Sequence, residues 1–206
     1  MSVVYRLRQA LGLDAPGTPV NVIRSYLMLG EIADDLREAL GIDTAGVARS
    51  KDSFGFALEG WKPWTLFDDT PVLVPEGFNT EAEVNGDLLM YPQGDKSAPP
   101  CARMPQGGWY FDAIIRQPPI DEARLDPADN CEEFGPLSEG EIEYFCCACE
   151  RARSAGERAV AANFGGTGFG DIAAVPAMQL RHPKGIRDIE EWYRSLVAPG
   201  LHLPRL

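Results

Sequence analysis

The stretch Ala159-Val160-Ala161-Ala162-Asn163-Phe164-Gly165-Gly166-Thr167-Gly168-Phe169-Gly170-Asp171-Ile172 decides how the chain is read. Small and β-branched residues up to Phe164 predict a strand buried on both faces, four glycines follow, and Asp171 is placed to cap a short helix. In a parallel α/β protein such a loop lies at the carboxyl ends of the strands, where glycine lets backbone amides approach a ligand. The same run also serves as a plain turn that packs a helix against a strand, and the residues leave both readings open. Nucleotide motifs fail here. A phosphate loop needs a lysine after its last glycine, but Gly170 is followed by Asp171 and Ile172. The dinucleotide fingerprint fails too, because Gly166 and Gly168 meet Asp171 where the third glycine belongs.

The rest of the chain sets the limits. Its 206 residues are 45% hydrophobic, enough for one good core or two small ones in an ordinary globular protein. No apolar run approaches a membrane span, and the opening Met1-Ser2-Val3-Val4-Tyr5-Arg6 lacks a basic region followed by an apolar core. The expectation is therefore a cytoplasmic protein with no membrane partner. A formal charge of −12 argues against nucleic acid, which needs a basic face. Much of the acid lies between Asp121 and Glu150, a pattern expected of a solvated flank.

Cys101, Cys131, Cys146, Cys147 and Cys149 form an odd set without the spacing of a disulfide framework, so reduced thiols are expected. Cys146-x-x-Cys149 lacks a second ligand pair for zinc, and the only histidines are His182 and His202. On a helix, positions 142, 145, 146 and 149 share one apolar side, which predicts buried small hydrophobes rather than a metal site.

Taken in order, Val4, Leu7 and Leu11 predict a short helix ending near Gly12. Residues 19–40 carry Val22, Ile23, Tyr26, Leu27, Ile32, Leu36 and Leu40 at helical spacing, predicting a helix stopped by Gly41 and broken near Gly30. Arg24 and Tyr26 then face solvent and core, one each. Residues 42–47 read as a strand. Residues 54–115 are β-rich, with a hairpin predicted at Asn85-Gly86 between 78–84 and 87–91. Trp61, Trp64 and Trp109 read as packing, although a cluster of them at a site mouth could stack on a flat ligand. Asp68-Asp69 before Thr70-Pro71 predicts a turn. Residues 118–137 read as a surface connection. Ser138-x-x-Glu141 is a capping box for a helix through Ile142, Phe145, Cys149 and Ala152. A last helix over 186–197 has Ile189, Trp192, Tyr193 and Leu196 on its inner side. Asp112 reads as a loop aspartate bonding local amides, with a catalytic acid as the sharper alternative, and His182 as a surface turn residue.

The alternation of helix, strand, hairpin insert, helix, strand and helix fits α/β architecture with a mainly parallel sheet. Five blocks then carry a resemblance: Trp61-Lys62-Pro63-Trp64-Thr65-Leu66-Phe67, Gly86-Asp87-Leu88-Leu89-Met90-Tyr91-Pro92, Gly107-Gly108-Trp109-Tyr110-Phe111-Asp112-Ala113-Ile114, Asn163-Phe164-Gly165-Gly166 and His182-Pro183-Lys184-Gly185-Ile186-Arg187-Asp188. Together, from about residue 2 to about residue 195, they resemble the uroporphyrinogen decarboxylase-like superfamily, and within it the branch related to corrinoid-dependent methyltransferases.

The resemblance implies a TIM (β/α)8 barrel with its site at the carboxyl end of the strands. Of that barrel the chain resembles about the first half, a partial barrel with a β-hairpin insertion at 54–115 and a divergent tail at 198–206. It further implies transfer of a methyl group from a small donor to a corrinoid protein. In that branch zinc held by His and Cys ligands acts as a Lewis acid, in a His-x-Cys-Gly pattern from the second half of the barrel. Neither His182 nor His202 has a cysteine two residues on, so no metal ligand is assigned in this chain. The substrate pocket implied here is lined by Asn163, Phe164, Gly165 and Gly166, with Asp171 holding the loop.

Uroporphyrinogen decarboxylation is the runner-up. Its early arginine-rich segment is only echoed by Arg6-Leu7-Arg8-Gln9-Ala10-Leu11-Gly12, which lacks the second arginine. In the family a strand and a helix usually precede the position of Met1, so the chain reads as a truncated or split product, inactive alone. A half barrel leaves strand edges unpaired, which favours a second chain completing it. The other reading is a non-catalytic remnant that only associates.

Overall fold

The computed structural model describes residues 1–164, 171 and 173–197. Helix α1 (Ser2–Ala10) opens the chain and closes where expected, with Gly12 at φ +70°. Then follow β1 (Val20–Arg24), β2 (Leu29–Gly30), α2 (Asp34–Ala39), β3 (Thr44–Val47), β4 (Lys62–Thr65), β5 (Pro71–Val74), β6 (Thr80–Ala82), β7 (Leu88–Met90), β8 (Ala102–Met104) and β9 (Asp112–Ala113). Helix α3 (Glu139–Ser154), β10 (Ala159–Ala162) and α4 (Ile189–Val197) complete the described strands and α-helices, with short 3-10 turns at Pro92–Gly94, Glu122–Arg124 and Pro127–Cys131.

The strands form three sheets, in the orders β2-β1-β5-β4, β6-β7-β8-β9 and β10-β3. The fold is thus mixed α/β, and the sheets of the described residues do not close into a barrel. Strand β5 is the join between the front of the chain and the β-rich region, pairing parallel with β1 and antiparallel with β4. The second sheet is an antiparallel meander whose first turn is the Asn85-Gly86 hairpin. There Gly86 takes φ +88° and Asn85 Oδ1 accepts the amide of Asp87, which is why this dipeptide fixes the register locally.

One core lies between these two sheets. Val22, Val72 and Val74 from the first meet Met90, Ala102 and Met104 from the second, with Phe54, Phe78 and Phe111 filling the space. Phe111 is fully buried, its ring edge-on to Phe54 at 5.7 Å and to Phe78 at 6.0 Å. A second, small cluster gathers Val175, Ile186 and Trp192 beneath α4.

Several expectations are corrected. Residues 19–40 do not form one helix: β1 occupies 20–24, a turn with Met28 at φ +48° follows, and only Asp34–Ala39 is helical. The β-branched run Val20, Val22 and Ile23 takes the strand because β5 offers it a parallel ladder, and pairing overrides the helical spacing. On this strand and turn Arg24 is exposed and Tyr26 half-buried.

The Ala159–Phe164 strand is not buried on both faces. β10 alternates between exposed and half-buried because, among the described residues, it pairs with β3 alone and packs against α3. Cys146 and Cys147 are exposed and Cys149 half-buried, since two short strands cover only the stripe of α3 around Phe145. On α4 Trp192 is buried, but Tyr193 and Leu196 are more than half exposed. Residues 118–137 are more than a surface connection, because Asn130 is buried and bonded to the backbone of Ile186 in both directions.

Candidate functional site

The expected site lies at the carboxyl ends of β3 and β10. These strands run parallel in the register Ala159 to Thr44 through Ala162 to Val47. Helix α3 packs against both and starts at the capping box: Glu141 N donates to Ser138 Oγ, and Ser138 N donates to Glu141 Oε2 at 3.0 Å. The bonds that the Glu141 carboxylate accepts from Ser138 N and Ser138 Oγ favour the charged form and hold it below the usual carboxylate range.

Beyond β10 the ladder runs one residue further, Asn163 N donating to Val47 O at 2.9 Å. Phe164 then turns its ring onto Phe145, at 4.7 Å between centroids, and stays 49% exposed. Asn163 and Phe164 therefore sit together at the strand end, both exposed. Asp171 caps as expected in kind but not in element. Its Oδ1 accepts the amide of Ala173 at 2.9 Å and its carbonyl accepts from Ala174 and Val175, ordering a turn over 173–176 rather than a helix. Gly165 and Gly166 lie outside the described residues.

Other candidates disperse. Asp112 is exposed at the start of β9, and His182 is exposed in a bend. Trp64 packs on Phe78 and Trp109 on Phe67, so these two aromatics serve different contacts. Asp68 makes the expected turn, its Oδ1 accepting the amide of Thr70. Burial pushes the Cys101 thiol up to about 12, which leaves it a packed, unreactive group. Among the described residues no group of three or more His, Cys, Asp and Glu side chains is arranged to hold a metal ion. None of the described helices is long and apolar enough to cross a membrane.

No protein-family model, curated protein or solved structure matches the chain.

Two buried charges escaped the sequence reading. Arg187 is 1% exposed and clasps the 127–133 segment: Nη1 donates to Glu133 Oε1 at 2.8 Å, Nη2 to Asp129 O at 2.7 Å, and Nε to Lys184 O. With its donors engaged on backbone and carboxylate, it is a structural clasp, not a free anion receptor. Gly185 makes the clasp possible. At φ +73° a Cβ there would stand 2.7 Å from Asn130 Oδ1.

Asp52 is the second. It accepts the amides of Ser25 at 2.8 Å and Phe54 at 3.0 Å, pinning the β1 turn to the aromatic core. Burial raises its carboxyl above the ordinary range despite those bonds. The signal for Asp52 was local and readable, an aspartate bonding the amide two residues on. Arg187 had none, because its partners lie 54 and 58 residues away.

Proposed function

We propose that this chain forms the first part of a uroporphyrinogen decarboxylase-like methyltransferase barrel and contributes one wall of its substrate pocket. The observation that carries this reading is the parallel β3–β10 pair under α3. Parallel strands are found almost only where both faces are covered and further strands continue the sheet. Here β10 has no second strand partner among the described residues and its alanines are half-exposed or exposed, with Phe164, packed on Phe145 and 49% exposed, at its carboxyl end. A second polypeptide that adds strands to β10 supplies what the pair lacks.

In this reading the chain's own residues bind and orient. The Phe164 ring offers an apolar face to a methyl-bearing donor, and Asn163 offers an amide that both donates and accepts. Zinc, when bound by the second part, supplies Lewis acidity to the methyl-bearing heteroatom or a thiol, and a corrinoid protein receives the methyl group. No ligand to that zinc is assigned in this chain.

The test is reconstitution. The purified chain is assayed with a corrinoid protein and methoxylated or methylamine substrates, alone and with a polypeptide carrying the His-x-Cys half of such a barrel. The expected result is no methyl transfer alone and measurable transfer on addition of the second chain. Turnover by the chain alone, or none after a stable complex has formed, overturns the proposal.

A further inference from the structure

Away from the strand ends just described, a cleft of about 330 Å³ lies between α2, β3 and α3. Its rim carries Asp34, Arg37, Arg151 and Arg158, and its floor is made of alanine and glycine, Gly46 and Gly156 among them. A Cβ built at Gly46 or Gly156 meets nothing within 4 Å, so the backbone there is open to whatever enters. Arg158 directly precedes β10, so the cleft gathers at the amino end of that strand, while Asn163 and Phe164 stand at the other.

The charge is the reverse of the chain's. In a protein of net charge −12, this cleft sets three guanidinium groups against one carboxylate, a local surplus of two positive charges. Asp34 Oδ1 holds two of them, accepting from Arg37 Nη1 at 2.6 Å and from Arg158 Nη1 at 3.4 Å. The Ile42 carbonyl fixes Arg158 further, accepting from Nε at 3.2 Å. These contacts aim the two side chains without exhausting them. Nη2 of each, Nε of Arg37 and the whole guanidinium of Arg151 keep donors with no partner among the described residues.

Arg37 and Arg158 are only 23% and 21% exposed as side chains, so water competes poorly for those donors. The carbonyl end of α3 opposes an anion here, but its partial charge of about −0.5 is smaller than the surplus. Spare guanidinium donors match the oxygens of a phosphoryl group, and a charge near −2 balances the site. The volume exceeds that of one phosphate ion and lies at the lower end of the ~300–1,000 Å³ typical of ligand pockets.

We propose that this cleft binds a phosphoryl dianion, inorganic phosphate or the terminal group of a small phosphomonoester. All its lining residues belong to this chain, so the site stands independently of the barrel reading. Titration calorimetry at low salt with inorganic phosphate, glycerol 3-phosphate and succinate tests it. Saturable binding of a phosphoryl ligand is expected, with the tighter of the two identifying the source as free ion or ester. Arg151→Gln is the deciding variant, because the exposed Arg151 side chain has no hydrogen bond or ion pair among the described residues that its loss would break; it weakens binding roughly tenfold, ~1.4 kcal/mol. Arg158→Gln weakens it as well, with circular dichroism reporting whether loss of the Ile42 contact disturbs the fold. No saturable binding, unchanged affinity in Arg151→Gln, or succinate binding as tightly as phosphate each overturns the assignment.

Discussion

The two four-stranded sheets and the β3–β10 pair are built from the same kind of short strand, yet one region encloses its own core and the other does not. Between the four-stranded sheets Phe54, Phe111, Val22, Val74 and Met90 are fully buried. On the parallel pair and α3, Ile142 is half exposed, Phe164 nearly so, and β10 offers little but alanine. Length does not make the difference, since strands of four residues occur in both. What differs is the number of covered faces. The parallel pair β1–β5 is flanked by β2 and β4 and faced by the antiparallel meander, whereas β3 and β10 have only each other and α3 among the described residues.

This contrast is sharpest where a core ring is removed. Phe111→Ala takes away a fully buried side chain that touches Phe54 and Phe78, and about 3–5 kcal/mol of stability is expected to go with it. Urea denaturation followed by tryptophan fluorescence checks the loss, and a change below about 1 kcal/mol breaks the claim of a self-sufficient core. Phe164→Ala in the isolated chain is the counterpart: with half of its surface already in water, it should shift the same curve by less than about 1 kcal/mol.

Arg187→Met probes the joint that ties α4 to the 127–133 segment. It leaves Glu133, itself 8% exposed, without its cation, and breaking such a pair costs roughly 3 kcal/mol. Thermal unfolding of the variant should therefore begin in the C-terminal part, with the second core cluster released first. Hydrogen exchange resolves where. Amides of β7 and β8 are expected to exchange only by global unfolding and those of β10 by local opening, so equal protection of the two would erase the comparison.

The smallest expected effect is a pH dependence at the front of the molecule. Arg8 bonds Asp35 with both Nη groups and holds that carboxyl at about 2, below its ordinary value of 3.8. A carboxyl lowered in the folded state adds stability that is complete above the unfolded value and fades as pH falls through the folded one. The contribution is thus lost between about pH 4 and pH 2, and solvent screening of the half-exposed Asp35 keeps it modest. Asp35→Asn should flatten the stability slope in that window and leave the slope above pH 5 unchanged.

Several local signals in the sequence were accurate where the partners are near neighbours, although the Asp171 cap orders a turn rather than the expected helix. The Asn85-Gly86 hairpin, the Ser138 to Glu141 capping box and the Gly12 stop are each complete within a few residues, and each forms where the letters placed it. Periodicity misled where a distant partner competed. Residues 19–40 carry helical spacing, but β5, some fifty residues on, claims Val20 and Asn21 for a ladder. Of the expected site, Asn163 and Phe164 reach one strand end, because the small-residue run did make a strand. Its burial was misjudged, since that depends on what covers the strand rather than on the strand.

By itself, then, the order of residues determined the Asn85-Gly86 turn, the Ser138 to Glu141 cap, the strand at 159–162, and an overall negative charge. Only the tertiary structure decided which strands pair, that Arg187 and Asp52 are buried, and that three arginines meet in one cleft. The reason is range. Dihedral preference and capping act over a few residues, while pairing, burial and charge clustering are set by groups that chain folding brings together from far apart.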